Sequence, residues 1–478
     1  MSFITDKTQY KFMKKYINKF CILCALITLG GCSKSDFLDK KSSSAIVQPK
    51  TIAELQQILN NTATVMNLTG GLAQAGSDDY FVTYADFQTA TNTERNAYIW
   101  SKDIYAGDVA IADWNKLYTQ VFYANSVLDV LKGASLENQA GGQFTKGWAL
   151  FMRAFAFYDL TRTFCKPFDE TSASSDLGIP LRLSADIDYT LQRATLKQTF
   201  DQILADLNSS LPLLPLERPS ANLERPSQIA VYALLARIYL DMRNYTQAES
   251  NADKCLSLYD TLIDYNTISS TASNPFTLTN AELIFRSTQV QDFTSLTINT
   301  IATKAKVAPD LLNLYSKNDS RKNVYFRLLS DGNYGKKIGY NGIGNYHFTG
   351  LATDEVYLIK AECAARSGDI ATGMTKLNQL LIKRWNSNAT VPAVSFQNLT
   401  ATTVEEAVSM ILLERRKELV WRGLRWQDIK RLNKEGANIT LLRTLNGLTY
   451  TLPPNDARYI YPIPDDEIAI SDLQQNIR

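Results

Sequence analysis

Apolar residues recur along most of this chain at spacings of three, four and seven, the period of helices that bury one face. Trp114, Leu117, Tyr118, Val121, Phe122, Leu128 and Leu131 share one such stripe, which predicts an amphipathic helix of about five turns. Asn125 lies on the same stripe and reads as a buried amide bonded by neighbouring backbone. Trp148 to Thr163 reads as a further helix, ending ahead of Pro167 because proline disfavours helical geometry in the residue before it. Two capping boxes mark helix starts. Thr51 with Glu54 precedes Ile52, Leu55 and Leu59, and Thr195 with Gln198 precedes Phe200, Ile203, Leu204, Leu207 and Leu211.

Two later segments share a large-small-large pattern that fits a tetratricopeptide hairpin. Ile229 to Tyr259 carries Tyr232, Leu235, Ala236, Tyr239, Ala248, Ala252 and Cys255, with a turn at Arg243-Asn244-Tyr245. Asp354 to Arg384 carries Tyr357, Ala361, Ala364, the turn Ser367-Gly368-Asp369-Ile370, then Gly373, Leu377 and Leu380. Small residues let the two helices of a hairpin approach closely, and large ones fill the gap to the next hairpin. A degenerate copy starts at Trp148. Between the clear copies, from about Leu262 to Gly350, helical periodicity fades and Thr, Ser, Asn, Gly and Tyr dominate. The fold class expected is therefore mainly α. Helical hairpins form a spine, and long irregular loop insertions carry the ligand site.

The N-terminus adds a location. Lysines up to Lys19 precede the apolar run Phe20 to Leu29, then Gly30-Gly31-Cys32, in the order of an export signal. The run is too short to span a bilayer. Leu29-Gly30-Gly31-Cys32 resembles the bacterial lipobox, so Cys32 is the expected lipidation site; Met13-Lys14-Lys15 also reads as a usual signal start. The organisation expected is a signal peptide over 1–31, a flexible tether over 32–50, an N-terminal helical region over 51–261, a loop-rich insertion over 262–350 and a C-terminal region over 351–478. Removing residues 1–31 leaves 45 basic and 47 acidic side chains, too little positive charge for nucleic acid binding. A single histidine, His347, and three scattered cysteines, Cys165, Cys255 and Cys363, argue against a metal site, and no cofactor is expected.

Candidate ligand contacts are the aromatic residues of the two segments poor in periodicity. Tyr334, Tyr340 and Tyr346 recur among glycines and asparagines, and Tyr80, Tyr98 and Trp100 lie in a similar stretch. An exposed ring offers a flat apolar face to the C–H groups of a sugar, while nearby amides and hydroxyls bond its OH groups.

The C-terminal third carries a resemblance. Ile411 to Leu432 holds Glu414, Arg415, Arg416, Glu418, Leu419, Gly423, Arg425, Trp426, Asp428 and Arg431 in the E-R-R-x-E-L, Gly, R-W-x-D order of the SusD/RagB family of outer-membrane nutrient-binding lipoproteins. Tyr461-Pro462-Ile463-Pro464 with Glu467 and Asn476 resembles that family's ending, and Trp114-Asn115-x-x-Tyr118 with Asn125 fits further upstream. Without the family, Glu414 with Lys417 and Glu418 with Arg422 read as neighbours of opposite sign on one helix, each pair worth about 0.3 kcal/mol. Arg425 and Asp428 read as members of a structural ion-pair network.

The resemblance implies a surface lipoprotein, lipid-anchored to the outer membrane. It would capture glycan and pass it to a SusC-like TonB-dependent transporter, without being an enzyme. Two other readings stay open: a tetratricopeptide-type scaffold lipoprotein with no glycan ligand, and a glycoside hydrolase, since carboxylate pairs are plentiful.

Overall fold

The computed structural model describes residues 49–186, 191–290, 304–337, 339–342 and 346–478. The export signal, Cys32 and the tether as far as residue 48 lie outside the described residues.

Helix α1 (Ile52–Leu59) starts at the expected box: Thr51 accepts from the Glu54 N–H, and the Glu54 carboxylate takes the N–H groups of Thr51 and Lys50 at 3.0 and 2.7 Å. It buries Leu55 and Leu59. Helix α2 (Ala112–Gly133) spans the predicted stripe but buries only Trp114, Leu117, Val121 and Leu131 of it, leaving Tyr118 and Leu128 half-buried and Phe122 exposed, and α3 (Gly142–Phe164) starts six residues ahead of the expected Trp148. Every side chain of α3 from Trp148 to Phe164 is buried, because α2 and α4 (Leu196–Ser210) pack on it from two sides. The Thr195–Gln198 box opens α4 as expected.

The two predicted hairpins are present. Helices α5 (Gln228–Asp241) and α6 (Tyr245–Leu258) turn at Arg243, whose φ is +61°, with Asn244 capping α6. Helices α7 (Thr353–Arg366) and α8 (Ile370–Leu381) turn at Gly368, with Asp369 capping α8. Gly373 shows why a small residue is needed: a β-carbon there would stand 3.0 Å from the Ala361 carbonyl and from Ala365 Cβ. Helix α6 packs on α7, so the hairpins are neighbours in space although a long segment separates them in sequence. Helix α9 (Val404–Glu418) closes the spine against α7 and α8, and α10 (Arg425–Lys434) follows.

The intervening segment is more ordered than its composition suggests. Very short strands stitch it to distant parts of the chain. Strand β1 (Leu68–Thr69) runs parallel to β4 (Thr288–Gln289), β2 (Tyr80–Phe81) antiparallel to β5 (Lys306–Val307), and β3 (Leu283–Phe285) antiparallel to β8 (Leu351–Ala352). Strands β6 (Phe326–Leu328) and β7 (Tyr334–Lys336) form a hairpin. Another joins β9 (Leu441–Leu445) to β10 (Leu448–Leu452) through Asn446-Gly447, both at positive φ as such a tight turn requires. These strands enclose a hydrophobic core of their own, which includes Tyr80, Tyr98, Val307, Tyr325, Tyr340 and Trp421. Cys165, Cys255 and Cys363 are buried and form no disulfide, packing as small side chains.

Candidate ligand face

The structure gathers three of the sequence candidates into one place, away from solvent. Tyr80, Tyr98 and Trp100 are 2%, 1% and 1% exposed. Their rings surround the guanidinium of Arg443, whose carbon lies 5.0, 3.7 and 4.9 Å from the three ring centres. The polar atoms are used as well. Tyr80 OH donates to the Ala75 carbonyl at 2.7 Å, Trp100 Nε1 to the Gly76 carbonyl at 2.9 Å, and Tyr98 OH accepts from the Val82 N–H at 3.2 Å. Tyr340 has the same fate: it is buried under Arg422 at 3.7 Å, and its hydroxyl bonds to Glu282 and Asp354. The expectation that these four rings face a ligand is therefore not met. A ring sandwiched on a desolvated guanidinium gains about 2 kcal/mol from the contact, beyond the burial of its area.

Tyr334 and Tyr346 remain half-buried. Tyr334 stands on β7, with Lys322 Nζ 5.4 Å from its ring centre. None of the described ring contacts joins Tyr346 to it. The exposed aromatic feature of this region was not singled out in the sequence. Tyr84, 42% exposed, stacks on Phe87 with ring centres 6.3 Å apart and planes inclined by 17°. Both belong to the short helix Tyr84–Gln88, capped by Thr83, which accepts from the Asp86 N–H at 3.1 Å. The signal available was their spacing of three, which puts two rings on one side of a helical turn.

Lys306 joins this helix to the β6–β7 hairpin. Its Nζ lies 3.7 Å from Asp86 and 3.6 Å from Asp331, in the hairpin's turn, while Lys304 reaches Thr89 Oγ1 at 2.8 Å. The backbone N–H of Asn333, helped by its side chain, holds the Asp331 carboxyl below its ordinary value, so it is ionised at neutral pH. The face thus sets the open Tyr84 ring, with Phe87 half-buried behind it, beside the Asp86 and Asp331 carboxylates, the Lys304 ammonium and the Asn333 amide. It can stack on a pyranose and bond its hydroxyls.

The charged C-terminal segment holds this face in position from inside. Arg425 pairs with Asp78 at 2.8 Å and Arg416 with Asp78 and Asp310 at 3.2 and 3.0 Å, fixing the chain that leads into β2 and on to Tyr84. Asp428 receives both Arg415 and Arg431, the latter also gripping Glu362. Arg425 and Asp428 are thus members of a buried network, as expected. Glu414 pairs with Lys417 as expected too, at 2.8 Å. Glu418 and Arg422, however, do not pair with each other. Glu418 takes Arg321 and Arg384, whereas Arg422 takes Asp354, because the helix ends at Glu418 and the chain turns inward through Trp421 at positive φ. Burial pushes the Glu418 carboxyl up, but Arg384 and Arg321 outweigh it and hold it down at about 2.

Among the described residues, no group of three or more His, Cys, Asp or Glu is placed to hold a metal ion, and no helix is long and apolar enough to cross a membrane. Residues 36–240 match the family described as "Starch-binding associating with outer membrane", and residues 316–477 match the SusD family. The chain belongs to the SusD/RagB family. The SusD-like protein P2 of Formosa agariphila is 25% identical over 534 aligned positions, spanning 95% of this chain and 97% of that one. In fold, the chain is similar to a SusD superfamily protein from Bacteroides fragilis, with a TM-score of 0.70 at 21% identity, covering 89% of this chain and 99% of that one. A SusD-like carbohydrate binding protein from Bacteroides vulgatus gives a TM-score of 0.67 at 20% identity, covering 89% and 97%.

Proposed function

We propose that this SusD/RagB protein captures carbohydrate on the Tyr84–Phe87 face and hands it, uncut, to a SusC-like TonB-dependent transporter, while a lipid on Cys32 holds it at the outer membrane. The observation that carries the reading is the exposed Tyr84 ring, backed by the half-buried Phe87 and flanked by the Asp86 and Asp331 carboxylates that the buried Lys306 holds together. Tyr334 and Tyr346 are further contacts in this proposal. The description of the family matched over 36–240, and the name of the solved Bacteroides vulgatus relative, support carbohydrate as the ligand class. Two or more acyl chains of a lipoprotein cysteine give lasting attachment, where a single chain binds reversibly.

Affinity electrophoresis and calorimetry against a polysaccharide panel test this. Tyr84→Ala should weaken binding about tenfold, the equivalent of about 1.4 kcal/mol, since the ring is open and its removal leaves the fold intact. Silence of the wild-type protein across the panel would favour the scaffold reading. Release of shortened sugars, abolished by a carboxylate substitution, would favour a hydrolase.

A further inference from the structure

The function above leaves Trp114-Asn115-x-x-Tyr118 and Asn125 without a task, although the structure builds a groove over them. Trp114, Tyr118 and Phe122 lie four residues apart along α2, so their rings line up on one face at intervals of about 6 Å along its axis. They border a cavity of about 380 Å³, within the range of small-ligand sites. Trp114 forms its floor, Tyr118 is half-buried at its side, and Phe122 is 41% exposed. The opposite wall is residues 180–186, and the short helix Asp465–Ser471 closes one end with Glu467.

Side chains of α2 staple that wall in place. Tyr118 OH donates to the Pro180 carbonyl at 2.8 Å, Asn125 Nδ2 donates to the carbonyls of Arg182 and Ser184 at 2.9 and 3.1 Å, and Asp129 accepts from the Ala185 N–H at 2.8 Å. Asn125 is itself fixed by Arg153, whose guanidinium forks onto Asp206 at 2.7 and 2.8 Å. The groove therefore exists before any ligand arrives, which removes much of the ordering cost of binding.

We infer that this groove is a second carbohydrate subsite, taking a short neutral oligosaccharide with Tyr118 and Phe122 as its ring contacts. The charged groups at its rim, Arg182, Asp186 and Glu467, sum to one negative charge and so disfavour an anionic ligand. The Asn115 amide, on the exposed side of α2, and the Thr119 hydroxyl supply bonds for sugar OH groups beside the rings. The inference rests on carbohydrate as the ligand class, but on none of the residues of the Tyr84 face.

Calorimetry with maltohexaose, cellohexaose, xylohexaose and mannohexaose tests it on the wild type, Tyr84→Ala, and Tyr84→Ala combined with Phe122→Ala or with Asn115→Arg. The first partner change removes an exposed ring, and the second fills the groove from its solvent side. The expected result is residual binding of at least one hexaose in Tyr84→Ala that falls at least tenfold in both double variants, with unchanged circular dichroism. Loss of all binding in Tyr84→Ala alone, or residual binding indifferent to both groove changes, overturns the second subsite and leaves the first standing. A wild type silent to hexaoses and polysaccharides alike overturns both.

Discussion

Glu418→Gln isolates the centre of the buried charge network with almost no change of shape. The wild-type carboxylate is buried, accepts from Arg321 Nη1 at 3.0 Å and Arg384 Nε at 2.9 Å, and also receives the Tyr325 hydroxyl at 3.2 Å. Glutamine keeps one acceptor but turns an NH₂ group toward a guanidinium. Removing one partner of a buried pair costs about 3–5 kcal/mol. The lower end applies here, because Arg321 keeps Asp319 and Glu414, and Arg384 keeps Glu282. The proton linkage gives a similar figure: a carboxyl held at about 2 against an ordinary 4.5 contributes about 3 kcal/mol at neutral pH. With an unfolding entropy of about 2 cal/mol/K per residue over the roughly 430 residues of the compact unit, that loss lowers the melting temperature by about 3 °C. Because the folded value is depressed, the contribution is complete above about 4.5 and disappears as pH falls towards 2. Thermal unfolding followed by circular dichroism should therefore show a gap between wild type and variant at pH 7 that shrinks to less than half by about pH 3. A variant that melts with the wild type at neutral pH, or a gap that holds constant on acidification, would refute the assignment of Glu418 as a net stabilising charge.

Gly350→Ala should be destabilised by about 3 kcal/mol or fail to fold, since the new β-carbon would sit 2.0 Å from the Phe285 carbonyl oxygen where β3 meets β8; soluble yield and melting temperature read this out, and wild-type values for both contradict it. Cys32→Ser should abolish incorporation of labelled palmitate and leave the protein unprocessed or released from the membrane fraction; persistent labelling in that variant places the lipid elsewhere.

The spine was legible because its signals are local. The Thr51–Glu54 and Thr195–Gln198 boxes act within one helical turn, and the alanines of α5 to α8 repeat at helical spacing, so each could be read without knowing its partner. The segment from 262 to 350 was not legible in the same way, since strands of two or three residues are too short to show an alternation. The aromatic candidates at 80, 98, 100 and 340 failed for a different reason. What buries them is Arg443 or Arg422, residues far off in sequence whose side chains arrive only with the finished fold. The same distance hid the true partners of Glu418 and Arg422, which local helix geometry paired with each other. Tyr84 and Phe87 stayed unnoticed beside more conspicuous neighbours, although their spacing of three was on view.

The cage around Arg443 also sets a timetable for folding. The rings of Tyr80, Tyr98 and Trp100 and the carbonyls of Ser77 and Tyr98 wait for a side chain that follows Tyr98 by 345 positions and so leaves the ribosome correspondingly later. Until it arrives, the three rings have no cation to enclose and the two carbonyls lack their guanidinium donor, so a cluster of aromatic residues is completed only by a distant hairpin.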